Sequence, residues 1–270
     1  MPRLADFRIT GNKRLALSDF DPASKPFSRG DKATDKARIA ELSEQISAVQ
    51  ELLYATHQRS LLIVLQGMDT SGKDGTVRSV FSQINPQGVR VVSFKAPTQE
   101  ERDHDFLWRV HRHTPAAGEI VIFNRSHYED VLITRVKGWI DDDEAERRLA
   151  HIRHFEQLLA DRGTAILKCF LHISKDEQKE RLEERLADPA KHWKFDPADL
   201  VERKAWDDYQ RVYAEALSVT SEVYAPWYVI PANSKTHRNL MIAELVLEAL
   251  HGMRLEPPQA NPALAGLRVE

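Results

Sequence analysis

A single cysteine, Cys169, stands in a chain of 270 residues, so neither a disulfide framework nor a cysteine-rich zinc module can be built. A reducing compartment is the corresponding expectation. Long apolar runs are also missing. Leu61–Leu65 is far too short to cross a bilayer, and the opening MPRLADFRIT lacks the apolar centre of a secretory signal. A cytoplasmic protein without a membrane partner is expected. Nor is there a surplus of positive charge: 38 Lys and Arg face 41 Asp and Glu, a formal net charge of −3. That balance speaks against bulk nucleic-acid binding, which needs a basic excess, but it leaves room for a local basic groove. No repeat, low-complexity stretch or dividing linker interrupts the chain.

What is present is ordinary core-forming material, 42% hydrophobic and 29% charged. One domain over residues 1–270 is expected. Residues 1–33 form an irregular arm with Phe7, Phe20 and Phe27 as anchors, and 256–270 a loose tail. Ile39, Leu42, Ile46, Val49 and Leu53 recur at spacings of three and four, which predicts a helix from an N-cap at Thr34 to about His57. Its stripe packs on the chain's own core or forms a dimer seam. Strands are predicted at 61–65, 89–94, 119–123, 165–173 and 227–230, separated by helical segments such as 143–160. Strands alternating with helices imply a parallel α/β sheet covered on both faces.

Directly after the first strand comes Gly67-Met68-Asp69-Thr70-Ser71-Gly72-Lys73-Asp74-Gly75-Thr76, which fits G-x-x-x-x-G-K. Glycines let backbone N–H groups approach a phosphate chain without an intervening side chain, and the following helix offers free N–H groups and the positive end of its dipole. Lys73 adds a point charge that can follow a phosphoryl group in transfer. The Ser or Thr that usually follows the lysine as a magnesium ligand is Asp74 here. The cation must therefore be held differently, and Asp69 inside the loop is the candidate.

The third strand runs into Asn124-Arg125-Ser126-His127-Tyr128-Glu129-Asp130. An acidic residue at such a strand end commonly helps hold magnesium, yet Asn124 is a weak ligand; Glu129 and Asp130 follow about one helical turn later. Arg125 offers a planar fork for phosphate oxygens, or alternatively a salt bridge to Glu129 or a neighbour. Tyr128, Trp193, Trp206 and Tyr209 either stack on a base or pack in the core. The eleven histidines show no metal-ligand spacing and are assigned ordinary structural roles.

With GMDTSGKDGT and FNRSHYEDV together, the chain resembles the polyphosphate kinase 2 family over most of its length. The resemblance implies a P-loop kinase-like, thymidylate kinase-like three-layer sandwich, with a central five-stranded parallel sheet and a helical lid. It implies transfer of the terminal phosphoryl group of inorganic polyphosphate to nucleotides with Mg2+ (Mn2+ as a substitute), in a homodimer or homotetramer. It carries Asp69, Lys73, Arg125 and Asp130 over as catalytic positions, with Asp69 and Asp130 as metal-binding ones; Asn124, Tyr128 and Glu129, beside them at the strand end, are expected as nucleotide contacts. Asp74 in place of Gly after the lysine resembles the members that accept AMP and ADP.

The same resemblance implies a basic channel for polyphosphate. Besides Gly67 and Thr70 to Thr76 of the loop, the candidates are Arg78, Arg109 and Arg112, and in the lid Lys175, Lys179 and Arg181. Arg185, Lys191 and Lys194 are further lid cations, about two of these six touching phosphate. The lid is placed at 174–210. Ser174 with Glu177 forms a capping box, Asp196-Pro197 starts a second helix, and Pro189–Phe195 is the tip between them. Such a cover would exclude water, whose attack competes with transfer. Two rivals share these features: an ATP-dependent nucleotide kinase, and a non-catalytic polyanion or nucleotide sensor.

Overall fold

The computed structural model describes residues 2–10 and 15–258, with Pro262 and Arg268 beyond them. Met1 and residues 11–14 of the expected arm, and most of the expected tail, lie outside the described residues. In chain order the helices and strands are α1 (Lys32–Thr56), β1 (Ser60–Gln66), α2 (Lys73–Val80), β2 (Val89–Val92), α3 (Gln99–Arg102), α4 (Trp108–His111), β3 (Ile120–Asn124), α5 (Glu129–Val136), α6 (Asp142–Asp161), β4 (Thr164–His172), α7 (Lys175–Ala187), α8 (Ala198–Lys204), α9 (Trp206–Thr220), β5 (Trp227–Pro231) and α10 (Lys235–Gly252).

The strands pair in the order β2-β3-β1-β4-β5, all parallel. Every residue of β1 is buried, which explains the unbroken apolar run Leu61–Leu65 at its centre: a central parallel strand has neighbours on both edges and helices on both faces. Each such Leu, Ile or Val contributes roughly 1.5–3 kcal/mol by leaving water. Helices α1, α2 and α10 pack together on one face, and α5, α6 and α9 on the other, giving three layers. The five strands fall where alternation placed them, within two residues at each end.

The stripe of α1 is used internally. Ile39, Leu42, Ile46 and Leu53 are buried, and the helix lies along α10. Its N-cap is Asp31 rather than Thr34: Asp31 Oδ1 accepts from the backbone N–H of Thr34 at 2.8 Å. The arm also does more than lie on the surface. Arg8 bridges antiparallel to Tyr228, and Ile9 N–H donates to Trp227 O at 2.8 Å, so the arm covers the open edge of β5. Phe7, Phe20 and Phe27 pack against the core as expected of anchors.

Between β4 and β5 the chain forms a helical segment over the C-terminal ends of the strands. Ser174 caps α7 by accepting from Glu177 N–H at 3.1 Å. The reciprocal half of the expected box is not made, because Glu177 instead binds Arg181 at 2.7 Å. A 3-10 turn spans Pro189–Lys194, and Asp196 accepts from Ala198 N–H at 2.9 Å at the start of α8. Among the described residues, no helix is long and apolar enough to cross a membrane.

Candidate active site

β1 and β3 are neighbours with Leu65 opposite Asn124, so the glycine-rich loop after β1 and the Asn124-Arg125 tip of β3 emerge side by side. The loop needs its glycines at two places. Gly67 has φ +149°, and a Cβ there would lie 2.6 Å from Leu171 O. Gly72 has φ +100°, and a Cβ would fall 1.9 Å from Arg238 Nη1. Thr70 (φ 65°) and Arg125 (φ 64°) also adopt the left-handed region without being glycine, which places two strained residues at the loop and the facing strand tip.

Lys73 is buried, and its ammonium donates to Gly67 O at 2.7 Å and Met68 O at 3.4 Å, within the curl of the loop. Burial pulls its pKa down, while the carboxylates of Asp69, Glu129 and Asp74 oppose that shift. The buried hydroxyls of Thr70 and Ser71 have no hydrogen-bond partner. Buried polar groups are normally paired, so these two orphans and the ammonium mark the place where anionic oxygens would complete the loop. Thr76 faces elsewhere: it is fully buried and donates to Asn239 Oδ1 at 3.2 Å.

The loop opens into a cleft of about 660 Å³, roofed by the segment between β4 and β5. Nine Lys or Arg line it against five Asp or Glu, a local cationic excess in a chain of net charge −3. Arg185, Lys191 and Lys194 come from the roof, as do Trp193 and Asp199; Lys95, Asn124 and Arg125 lie on the sheet side. Arg125 donates from Nη2 to Asp69 Oδ1 at 2.8 Å, so the expected alternative of a salt bridge is made, with the neighbouring Asp69 as its partner in place of Glu129. Burial lowers its pKa, but Asp69 and Glu129 outweigh that and raise it overall. Glu129 is half-buried behind the loop and does not line the cleft; burial raises its pKa, against Arg125 and Lys73.

Several residues singled out from sequence are placed differently. Tyr128 is fully buried, with its hydroxyl 2.9 Å from both Glu156 Oε1 and Thr220 Oγ1, so it faces the core rather than a nucleotide. Arg109 is buried between Lys95 O (2.8 Å) and Asp130 Oδ2 (2.9 Å), and so is a clamp rather than a phosphate contact. Asp130 gives Oδ2 to Arg109 and does not line the cleft that Asp69 borders. Burial raises its pKa and Arg109 opposes the rise. Arg181 borders the cleft, but its guanidinium is spent on the carbonyls of Thr70 (2.8 Å), Ser71 (3.2 Å), Ala232 (2.7 Å) and Asn233 (2.9 Å). Arg78 is exposed on α2, Arg112 stacks over Trp108 and Lys179 pairs loosely with Glu183; none lines the cleft. Lys175 borders a different hollow beside Trp206. Trp206 and Tyr209 are buried in α9.

Arg238 and Asp199 at the site, Phe94, Lys95 and Lys235 along the cleft, and Lys168 behind it were not singled out from sequence. Arg238 of α10 is buried, donates to Ser71 O at 2.9 Å and to Asn239 Oδ1, and borders the cleft beside Gly72. Burial and the neighbouring Arg181 pull its pKa down to about 9. Asp199, whose pKa burial and Asp69 raise to about 6, faces the loop from the roof. Behind the site, Lys168 in the middle of β4 is fully buried and bonds Glu156 Oε2 at 2.5 Å, with His127 and Tyr128 on the same carboxylate. Lys168 breaks an otherwise apolar strand pattern, which was the one available signal.

Oxygen donors suited to Mg2+ are present in the cleft: Asp69, Asp74, the Asn124 carboxamide and Asp199. Among the described residues, no group of three or more His, Cys, Asp or Glu forms an all-protein cage. Mg2+ does not need one, since it typically binds one or two carboxylates together with phosphate oxygens and water. Asp69, which lines the cleft, fits that role better than Asp130, which does not.

A parallel sheet, a glycine-rich loop curled round a lysine and a cationic helical roof define a phosphate-handling protein of the P-loop kinase type. The chain belongs to the polyphosphate kinase 2 family, whose model matches residues 29–258. It is 49% identical over 264 residues to an AMP/ADP-polyphosphate phosphotransferase from Meiothermus ruber, covering 98% of this chain and 99% of that one. It is 40% identical to an ADP-polyphosphate phosphotransferase from Rhodopseudomonas palustris, with 95% and 93% covered. The solved polyphosphate kinase 2 from Arthrobacter aurescens TC1 superposes with a TM-score of 0.92 at 46% identity, over 96% of this chain and 93% of that one.

Proposed function

We propose that the protein moves the terminal phosphoryl group of inorganic polyphosphate onto AMP or ADP, forming ADP or ATP. The observation that carries this is the cationic cleft in an acidic chain, centred on a loop that curls round Lys73 and leaves two hydroxyls unpartnered. The names of relatives that match nearly end to end support the choice of donor and acceptor.

In this reading the bond that breaks joins the terminal phosphorus to its bridging oxygen in the donor. The bond that forms joins that phosphorus to a terminal phosphate oxygen of the nucleotide. The attacking oxygen is largely ionised near neutrality, since a phosphate monoester's second pKa is about 6, so no protein base is required. The transition state is loose and spreads its charge, so positioning and neutralisation are what the protein supplies. Loop N–H groups and Lys73 hold the donor end. Arg125, half-exposed beside Asp69, steadies the transferred group. The sheet-side wall of Phe94, Lys95 and Asn124 receives the acceptor phosphates. Residues 174–210 act as the lid, bringing Arg185, Lys191 and Lys194 over the anions and keeping water out. Asp69, with Asp74 or Asp199, would hold Mg2+ (or Mn2+), which supplies charge neutralisation across donor and acceptor oxygens. A homodimer or homotetramer in the cytoplasm belongs to the same proposal.

The test supplies long-chain polyphosphate and Mg2+ without ATP and compares AMP, ADP and GDP as acceptors. ADP or ATP formed from the adenine nucleotides supports the proposal. Product only when ATP is added would make it an ATP-dependent nucleotide kinase, and binding without product a sensor.

A further inference from the structure

The cleft does not end at the loop. On its α10 side it meets a second cavity of about 580 Å³, and Lys235 borders both. Lys235 and Arg238 are three residues apart on α10 and therefore share a side of that helix. From Lys235 the second cavity continues between the loop before α10 and the N-terminal arm, where Lys25 and Lys32 line it. Both are exposed, and among the described residues neither is ion-paired. Lys32 is the first residue of α1, where a cation meets the positive end of the helix dipole and brings no benefit to the helix itself.

The carboxylates in this cavity are already engaged. Asp35 is buried and accepts from Ser28 Oγ at 2.6 Å and from Arg29 N–H at 2.9 Å. Glu177 holds Arg181. Lys235 has only a loose contact with Glu184, 3.4 Å apart, both side chains about 60% exposed. No aromatic residue lines the cavity. A nucleobase would find no ring to stack on, whereas a chain of phosphates meets lysines and hydroxyls along its length.

We propose that the polyphosphate chain, beyond the phosphates held at the loop, passes over Lys235 and lies in this second cavity against Lys25 and Lys32. The inference rests on the polyphosphate reading above and deepens it: the N-terminal arm extends the donor site and sets a preference for long donors over short ones.

The test compares wild type with Lys25→Ala/Lys32→Ala and with Lys25→Arg/Lys32→Arg, using long-chain polyphosphate and the shortest linear polyphosphate that wild type accepts. Two exposed ion pairs lost should raise KM for the long donor about five- to tenfold. Its KM should also depend less steeply on salt, since fewer phosphates are neutralised. Turnover number and KM for the short donor should stay unchanged, and the arginine pair should behave like wild type. Equal KM changes for both donors, or none for the long one, would overturn the extended site while leaving the activity standing. Absence of transfer from either donor by wild type would overturn the proposed function, and this site with it.

Discussion

The side-chain amide of Asn124, at the tip of β3, donates to Oδ1 of Asp74, in the first turn of α2, at 2.5 Å. Phosphate loops usually place a hydroxyl after the lysine, and a carboxylate is common at the neighbouring strand tip. Here the carboxylate sits on the helix and the neutral amide on the strand. The two departures from the usual pattern are therefore one exchange, made across the loop between β1 and β3.

That exchange is open to test with Asn124→Asp and Asn124→Leu. The aspartate sets two carboxylates face to face, so its rate should fall at low Mg2+ and recover as Mg2+ is raised. The leucine leaves Asp74 without its donor and should cost about 10- to 100-fold at every Mg2+ concentration, as loss of a partner that orients a metal ligand generally does. Initial rates across a Mg2+ titration report both. Identical profiles for the two variants would count against Asp74 acting near the cation.

Arg125 carries a strained backbone and a partner in Asp69. Arg125→Lys keeps the charge but loses the planar fork. Turnover should drop about 10²- to 10³-fold, the size expected when a donor to developing charge is lost. Polyphosphate affinity, measured by direct titration, should change much less.

Arg238 ties α10 to the loop by holding Ser71 O from a buried position. Arg238→Met removes its donors from Ser71 O and Asn239 Oδ1, which keep Arg181 and Thr76 respectively, each at 3.2 Å. Unfolding in denaturant should show a loss of about 1.5–3 kcal/mol, from lost buried hydrogen bonds to a charged group. KM for polyphosphate should rise in the same variant, because the loop loses its backing.

Lys168 and Glu156 form a fully buried pair beneath the sheet. Lys168→Met strands Glu156 in the interior and should cost about 3–5 kcal/mol of stability. Adding Glu156→Gln should restore much of it, a coupling that a double-mutant cycle in denaturant unfolding measures.

Asp199 gives a pH dependence of stability. Its pKa of about 6 lies above the ordinary 3.8, from burial first and then Asp69. Below pH 4 the carboxyl is protonated in both folded and unfolded chains. As pH rises through about 6 the native state must hold a disfavoured charge, so this group's stabilisation is lost across pH 4–6. Asp199→Asn should melt a few degrees above wild type at pH 7, with the gap closing toward pH 4.

Local signals carried the scaffold. Unbroken apolar strands, a 3.6-residue stripe and the glycine-lysine loop depend on neighbours in sequence; the strand ends landed within two residues and the start of α1 within three. Partnerships across the chain were not legible. Nothing in the sequence says that Arg109 turns inward to Asp130, that Arg181 and Arg238 serve loop carbonyls more than a hundred residues away, or that Tyr128 points at Glu156. A buried arginine and a phosphate-binding one have the same letter; only packing separates them. Asp31 displaced Thr34 as the cap for a simpler reason, since both are good caps and the chain direction of the arm decides between them.

The central claim is direct transfer from polyphosphate to nucleotide at the Lys73 loop. Phosphorus NMR of a mixture of the protein, Mg2+, ADP and long-chain polyphosphate, with no ATP added, follows donor and product together. The account predicts that the β-phosphate signal of ATP grows as one phosphoanhydride of the polyphosphate is lost per ATP formed, without matching orthophosphate. Unchanged ADP, with orthophosphate accumulating or the polyphosphate intact, would contradict it.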